Sequence, residues 1–151
     1  MKGDILSRFL YGLCVTGVVV LTGVIVGLPW IVRWMVDQTV YYNEMHTTRL
    51  LVLLYTTGIP AWIVLWQTKN LAHNIIERQP FSLKSKKNLK IISLCALVIC
   101  LVYSAATLFI PITVSVLVII GGAFMVALIG AILYKLVDVA IQIQEENELT
   151  I

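Results

Sequence analysis

Four groups of residues have types that could do chemistry. The first pairs histidine with carboxylates: Glu44 with His46, and His73 with Asn74 and Glu77. A metal centre needs three or four ligands, and Glu44 with His46 supplies too few. His73 could serve as a general base, but no nucleophile accompanies it. It reads as a polar residue facing lipid headgroups unless Asn74 and Glu77 gather with it beside a pocket. The second group is Cys14, Cys95 and Cys100, all inside apolar blocks. Cys95 and Cys100 stand five apart, which matches neither a redox C-x-x-C nor a zinc spacing. They read as small buried hydrophobes.

The third group is charge. Lys69 to Lys90 holds six basic residues, Lys69, Arg78, Lys84, Lys86, Lys87 and Lys90, against Glu77 alone. The chain ends acidic, with Glu145, Glu146 and Glu148 before Leu149-Thr150-Ile151. Basic residues beside a membrane set topology and attract anionic lipid headgroups; they can also dock a protein. An accessible charged end carrying Leu149 and Ile151 suits a groove on a partner. No nucleic-acid recognition pattern is present, so direct nucleic-acid binding is not expected. The fourth group is aromatic: Trp30, Trp34, Tyr41, Tyr42 and Trp66, an interfacial belt or a ligand mouth. Gly121-Gly122 lies in an apolar run and reads as a packing site, not a phosphate loop. Nothing in these sets calls for a cofactor or a metal, and the expectation is a protein that is not an enzyme.

The elements that position these residues are dictated by hydropathy. Of 151 residues, 60% are hydrophobic and 13% charged, where a soluble domain has about 25% charged. The apolar residues come in long blocks without charge, so the expected solvent is a bilayer. Phe9 to Val32 gives 24 residues, too long for the roughly 7–15 of a signal-peptide core, and it ends in Pro29-Trp30 rather than a small-residue cleavage site. Gly23 and Gly27 form a G-x-x-x-G pair within it, a helix-packing device that could also bring two copies together. Leu50 to Thr68 gives a second block of 19 residues, just long enough to span, with Pro60 expected to kink it. Lys69 to Arg78 reads as a short interfacial helix, ended by Gln79-Pro80-Phe81, with Ser82 as the N-cap of the next helix.

Ile91 to Tyr134 has no charge in 44 residues, enough for two spans folded about Ile110-Pro111-Ile112-Thr113. Ala123, Ala127 and Ala131 repeat every four residues as a small-residue stripe. Beyond the bilayer, Leu133, Leu136, Val137, Ala140 and Ile141 keep one apolar helical face. The expected architecture is all-α, a polytopic membrane protein of one domain over 1–151, with spans of about 9–32, 50–68, 91–110 and 113–134. Lysine and arginine counts place both termini, the loop 69–90 and the tail 135–151 in the cytoplasm. None of the expected spans holds an ionisable group such as a pump or ion-coupled transporter needs.

Two stretches carry a family resemblance. One is Ile75 to Ile92, Ile-Ile-Glu-Arg-Gln-Pro-Phe-Ser-Leu-Lys-Ser-Lys-Lys-Asn-Leu-Lys-Ile-Ile; the other is the end, Glu-Glu-Asn-Glu-Leu-Thr-Ile. A Pro-Phe turn entering a basic third span, together with a tail ending Leu-Thr-Ile, resembles the DUF2975 family of small four-span bacterial membrane proteins. The resemblance covers spans two to four and the tail. It implies the bacterial cytoplasmic membrane, no catalytic residues to carry over, and association with a small helix-turn-helix regulator of the Xre/Cro type. The expected function is sequestration of, or signalling to, that regulator. Arg78, Lys84, Lys86, Lys87, Lys90, Glu145, Glu146, Glu148, Leu149 and Ile151 would form the docking surface. The alternative is a membrane protein binding a small molecule or peptide, of an immunity, resistance or oligomeric channel type. A polar cavity lined by Thr16, Thr22, Thr56, Thr57 and Ser115 would mark it.

Overall fold

The structure is a computed structural model that describes residues 2–38 and 44–150. For Lys2, Gly3, Glu44, Met45 and His46 only the backbone course is described. The possible Glu44–His46 pair, Tyr41, Tyr42 and Ile151 therefore lie outside the described side chains.

Four helices follow one another: α1 Lys2–Asp37, α2 Glu44–Ile76, α3 Leu83–Ala106 and α4 Val114–Leu149. No strand occurs among the described residues. α1 and α4 have 36 residues each, about 54 Å at 1.5 Å per residue, against a hydrocarbon core of about 30 Å. All four are long and apolar enough to cross a membrane. Pro29 and Pro60 lie inside α1 and α2 without ending either helix.

Two expectations are corrected. There is no separate interfacial helix at 69–78 and no long loop at 69–90, because α2 runs unbroken to Ile76 and α3 begins at Leu83. The apolar positions Leu71, Ile75 and Ile76 continue the periodicity of α2, so nothing local stops it before Glu77. At the other end, α3 stops at Ala106, short of Ile110; its last carbonyls are taken up in a tight turn, with Ile110 N–H donating to Ala106 O at 2.9 Å.

The helices run up and down, and among the described residues close backbone approach occurs between chain neighbours alone, α1 with α2, α2 with α3 and α3 with α4. Cross-helix contacts keep one antiparallel ladder. Gly17 meets Leu65, Gly58 meets Ile25, and Tyr11 lies 5.9 Å from His73 between ring centroids. The start of α1, the 77–82 turn and the end of α4 therefore share one end, the basic end, and the Pro111 turn marks the far end.

The buried stripe of α3 is Ser85, Leu89, Ile92, Ala96, Cys100 and Tyr103. α1 buries Cys14, Val18, Leu28 and Val32 at similar spacing. The opposite faces carry exposed Val19, Leu101, Val118 and Ile132, an apolar coat that water would penalise and lipid does not. Cys14, Cys95 and Cys100 are free thiols.

Lipid is as apolar as the helices, so burial of carbon adds little to their association; close packing and interhelical hydrogen bonds do more. Each neighbouring pair has such a bond. Trp62 Nε1 donates to Thr22 Oγ1 at 3.0 Å between α2 and α1. Asn74 Nδ2 donates to Ser85 Oγ at 3.2 Å between α2 and α3. Ser93 Oγ donates to Ala127 O at 2.8 Å between α3 and α4.

Candidate functional site

The basic end is built from the 77–82 turn and the start of α3. α2 closes in a Schellman motif: Gln79 N–H donates to Asn74 O at 3.0 Å and Arg78 N–H to Ile75 O at 3.1 Å. That closure needs a left-handed residue, and Arg78 fills the place with φ 58°. Pro80 follows and cannot extend the helix. Ser82, extended at φ −114°, caps α3 by accepting from Ser85 N–H at 3.2 Å. Ser85 is fully enclosed at 0% exposure. Its hydroxyl is held by Asn74 and lies 3.2 Å from the Ser82 hydroxyl. The Pro-Phe stretch thus positions two helices around one buried serine. Arg78→Gly is expected to stabilise the protein by about 0.5–1 kcal/mol, because glycine adopts the left-handed region without the Cβ penalty. Reversible unfolding in mixed micelles would measure it.

Lys86 does not stand free for docking. Its Nζ lies 2.6 Å from Asp138 Oδ1 of α4, and Lys135 Nζ lies 3.8 Å from Asp138 Oδ2. Both Lys86 and Asp138 side chains are largely covered, at 27% and 20% exposure. Lys86 also sits 5.4 Å from the Tyr134 ring centre. The hydrogen bond to Asp138 raises the Lys86 pKa above its ordinary value; partial desolvation opposes it, and the charges of Asp138, Tyr134 and Glu145 add to it. The same hydrogen bond lowers the Asp138 pKa; partial desolvation opposes that, and the charges of Lys86 and Lys135 support it. Asp138 was missed in the sequence because beside Lys135, three residues earlier, it reads as an ordinary pair on the helix surface, and nothing local points to Lys86, 52 residues away.

The other candidate docking residues with described side chains are accessible. Arg78, Lys84, Lys87 and Lys90 are exposed, as are Glu145, Glu146, Glu148 and Leu149. Lys84, Lys87 and Lys90 recur every three residues on α3. With Asp138 opposite Lys86 in an antiparallel pair, the residues of α4 from about 142 onward run past the start of α3 as helix. The acidic end is therefore a projecting rod of α4 rather than a loose tail.

Other groups come apart. His73 Nε2 meets Glu77 Oε1 at 3.1 Å, both about half exposed, but Asn74 turns away to Ser85. The three do not gather as a catalytic set. None of the clefts between the helices described here is lined by His73 or Glu77, and no group of three metal-ligating residues occurs among the described residues. Trp66 stacks on Trp62 at 5.3 Å and lies under Lys69 Nζ at 3.7 Å. Its neighbour Leu65 is level with Gly17, so Trp66 sits about 20 Å along α1 from Trp30 and about 26 Å from Trp34. These aromatics do not form one mouth. Trp34 instead lines an apolar cleft of about 490 Å³ between the far ends of α1 and α2.

The five hydroxyls do not line one polar cavity either. Thr16, Thr22, Thr56 and Thr57 donate to the carbonyls of Gly12, Val18, Val52 and Leu53 on their own helices, and Ser115 pairs with Thr113. Among the described residues, a Cβ added at Gly23 would meet nothing within 4 Å, and one at Gly27 would meet Ile31 of its own helix alone. Of the alanine stripe, Ala127 is buried, Ala123 half-buried and Ala131 exposed. The tight contact falls at Gly130, where an added Cβ would lie 3.2 Å from Ser93 Cβ.

Four apolar spans with lipid-facing outer surfaces define an integral membrane protein. The model of the family described as "Protein of unknown function (DUF2975)" matches residues 10–151, and the chain belongs to that family. It is 33% identical over 110 residues to the "Uncharacterized membrane protein YoaS" of Bacillus subtilis (strain 168), covering 66% of this chain and 69% of that protein. No solved structure matches.

Proposed function

We propose that the chain is a non-enzymatic protein of the bacterial cytoplasmic membrane that holds a helix-turn-helix transcription regulator of the Xre/Cro type at its basic end. That end faces the cytoplasm, as the lysine and arginine bias favours. The observation that carries the reading is the projecting α4 end, with Glu145, Glu146, Glu148 and Leu149 all exposed. A DNA-binding protein presents a basic face to phosphate, and a rigid acidic helix end offers that face a competing surface. The exposed cations Arg78, Lys84, Lys87 and Lys90 sit at the same end and contact anionic headgroups or acidic parts of the partner. Release on a signal requires two states of different affinity for the regulator.

The test is affinity purification from the native membrane with and without residues 145–151. A helix-turn-helix protein, identified by mass spectrometry, should co-purify with the full chain and be lost from the shortened one. DNA or added salt should displace it. Equal capture by both forms would remove the α4 end from any docking role.

A further inference from the structure

A cleft of about 280 Å³ lies between the helices and is lined from all four, including Ile25 of α1, Thr57 and Ala61 of α2, Tyr103 of α3 and Ile119 of α4. Among the described residues, its polar side chains are Thr57 and Tyr103. Thr57 already donates its hydroxyl to Leu53 O at 2.9 Å. Tyr103 is 8% exposed, and its hydroxyl has no hydrogen-bond partner among the described residues. No described side-chain oxygen or nitrogen is both fully enclosed and unpaired, so this hydroxyl keeps some exposed surface on a residue that is otherwise buried. Tyr103 lies within the expected third span, where an unpaired donor is costly. Water satisfies such a group poorly here, because a held water needs about two to four polar partners.

We propose that this cleft binds a small, neutral, bilayer-soluble molecule with an apolar body and one hydrogen-bond acceptor, which takes the Tyr103 O–H. At about 30 Å³ per atom, on the scale of a liquid water, the cleft holds about nine non-hydrogen atoms. The apolar lining excludes charged ligands, and the single free donor selects a carbonyl or ether oxygen over a plain hydrocarbon.

The experiment uses the full chain in lipid nanodiscs with 2-octanone labelled with carbon-13 at its carbonyl, and octane as competitor. Saturable binding is expected, with a carbonyl shift that reports the hydrogen bond. Tyr103→Phe should weaken ketone binding about 3- to 10-fold, remove that shift and leave octane binding unchanged. Ala61→Phe, which fills the cleft, should abolish saturable binding of both. Far-UV circular dichroism checks that each variant folds. Unchanged ketone binding in Tyr103→Phe overturns the role of the hydroxyl. Absence of saturable binding in the unaltered chain, or its persistence in Ala61→Phe, overturns the site.

Discussion

Gly130→Leu is expected to destabilise the protein by about 2–4 kcal/mol, from overpacking and the loss of an interhelical hydrogen bond. The atoms in the way are not flexible side-chain ends. A Cβ at 130 would stand 3.2 Å from Ser93 Cβ, 3.4 Å from Ser93 Cα and 3.5 Å from Ser93 N. A leucine must push α3 and α4 apart, and Ser93 Oγ then loses Ala127 O. Gly122→Leu is the control, since a Cβ there meets nothing within 4 Å. Unfolding of both variants in mixed micelles reads the difference. Equal stability of the two would mean that the α3–α4 contact does not depend on Gly130.

Asp138→Lys is expected to loosen α4 from the start of α3, and adding Lys86→Glu should restore most of the contact. The single change gathers Lys86, Lys135 and the new lysine where one carboxylate now serves both cations. Position 138 and Lys86 are both largely covered, and like charges there are screened much less than surface ones. Hydrogen exchange along 135–149 would rise in the single variant and fall back in the double one. A double variant as labile as the single would show that the pair does not hold these helices.

The pair also sets a pH window. Asp138 is lowered in the folded state, so its contribution is present above the ordinary carboxylate value and lost as pH falls through the lowered one. Lys86 is raised, so its contribution is present below the ordinary lysine value and lost as pH rises through the raised one. Protection of α4 should be flat from about pH 5 to about pH 9 and weaken only in strong acid or strong alkali. A change within that range would assign the dependence to other groups.

The sequence by itself determined the spanning architecture. Blocks such as Phe9 to Val32 and Ile91 to Tyr134 lack any charge, and transfer into hydrocarbon is a local property that adds along the chain. Ser82 as a cap and Pro80 as a stop were legible for the same reason, since both act within one helical turn. The extension of α4 past the bilayer was legible in its apolar periodicity. Tertiary structure alone decided what crosses between helices. Lys86 meets Asp138 over 52 residues of chain. Gly130, not the Gly23–Gly27 pair, receives a neighbouring backbone, and Tyr103, whose hydroxyl has no partner among the described residues, lines a cleft shared by four helices. In lipid every helix face is apolar, so hydropathy cannot say which face meets protein. That choice rests on shape and on a few polar ties, and these exist only once the helices are side by side.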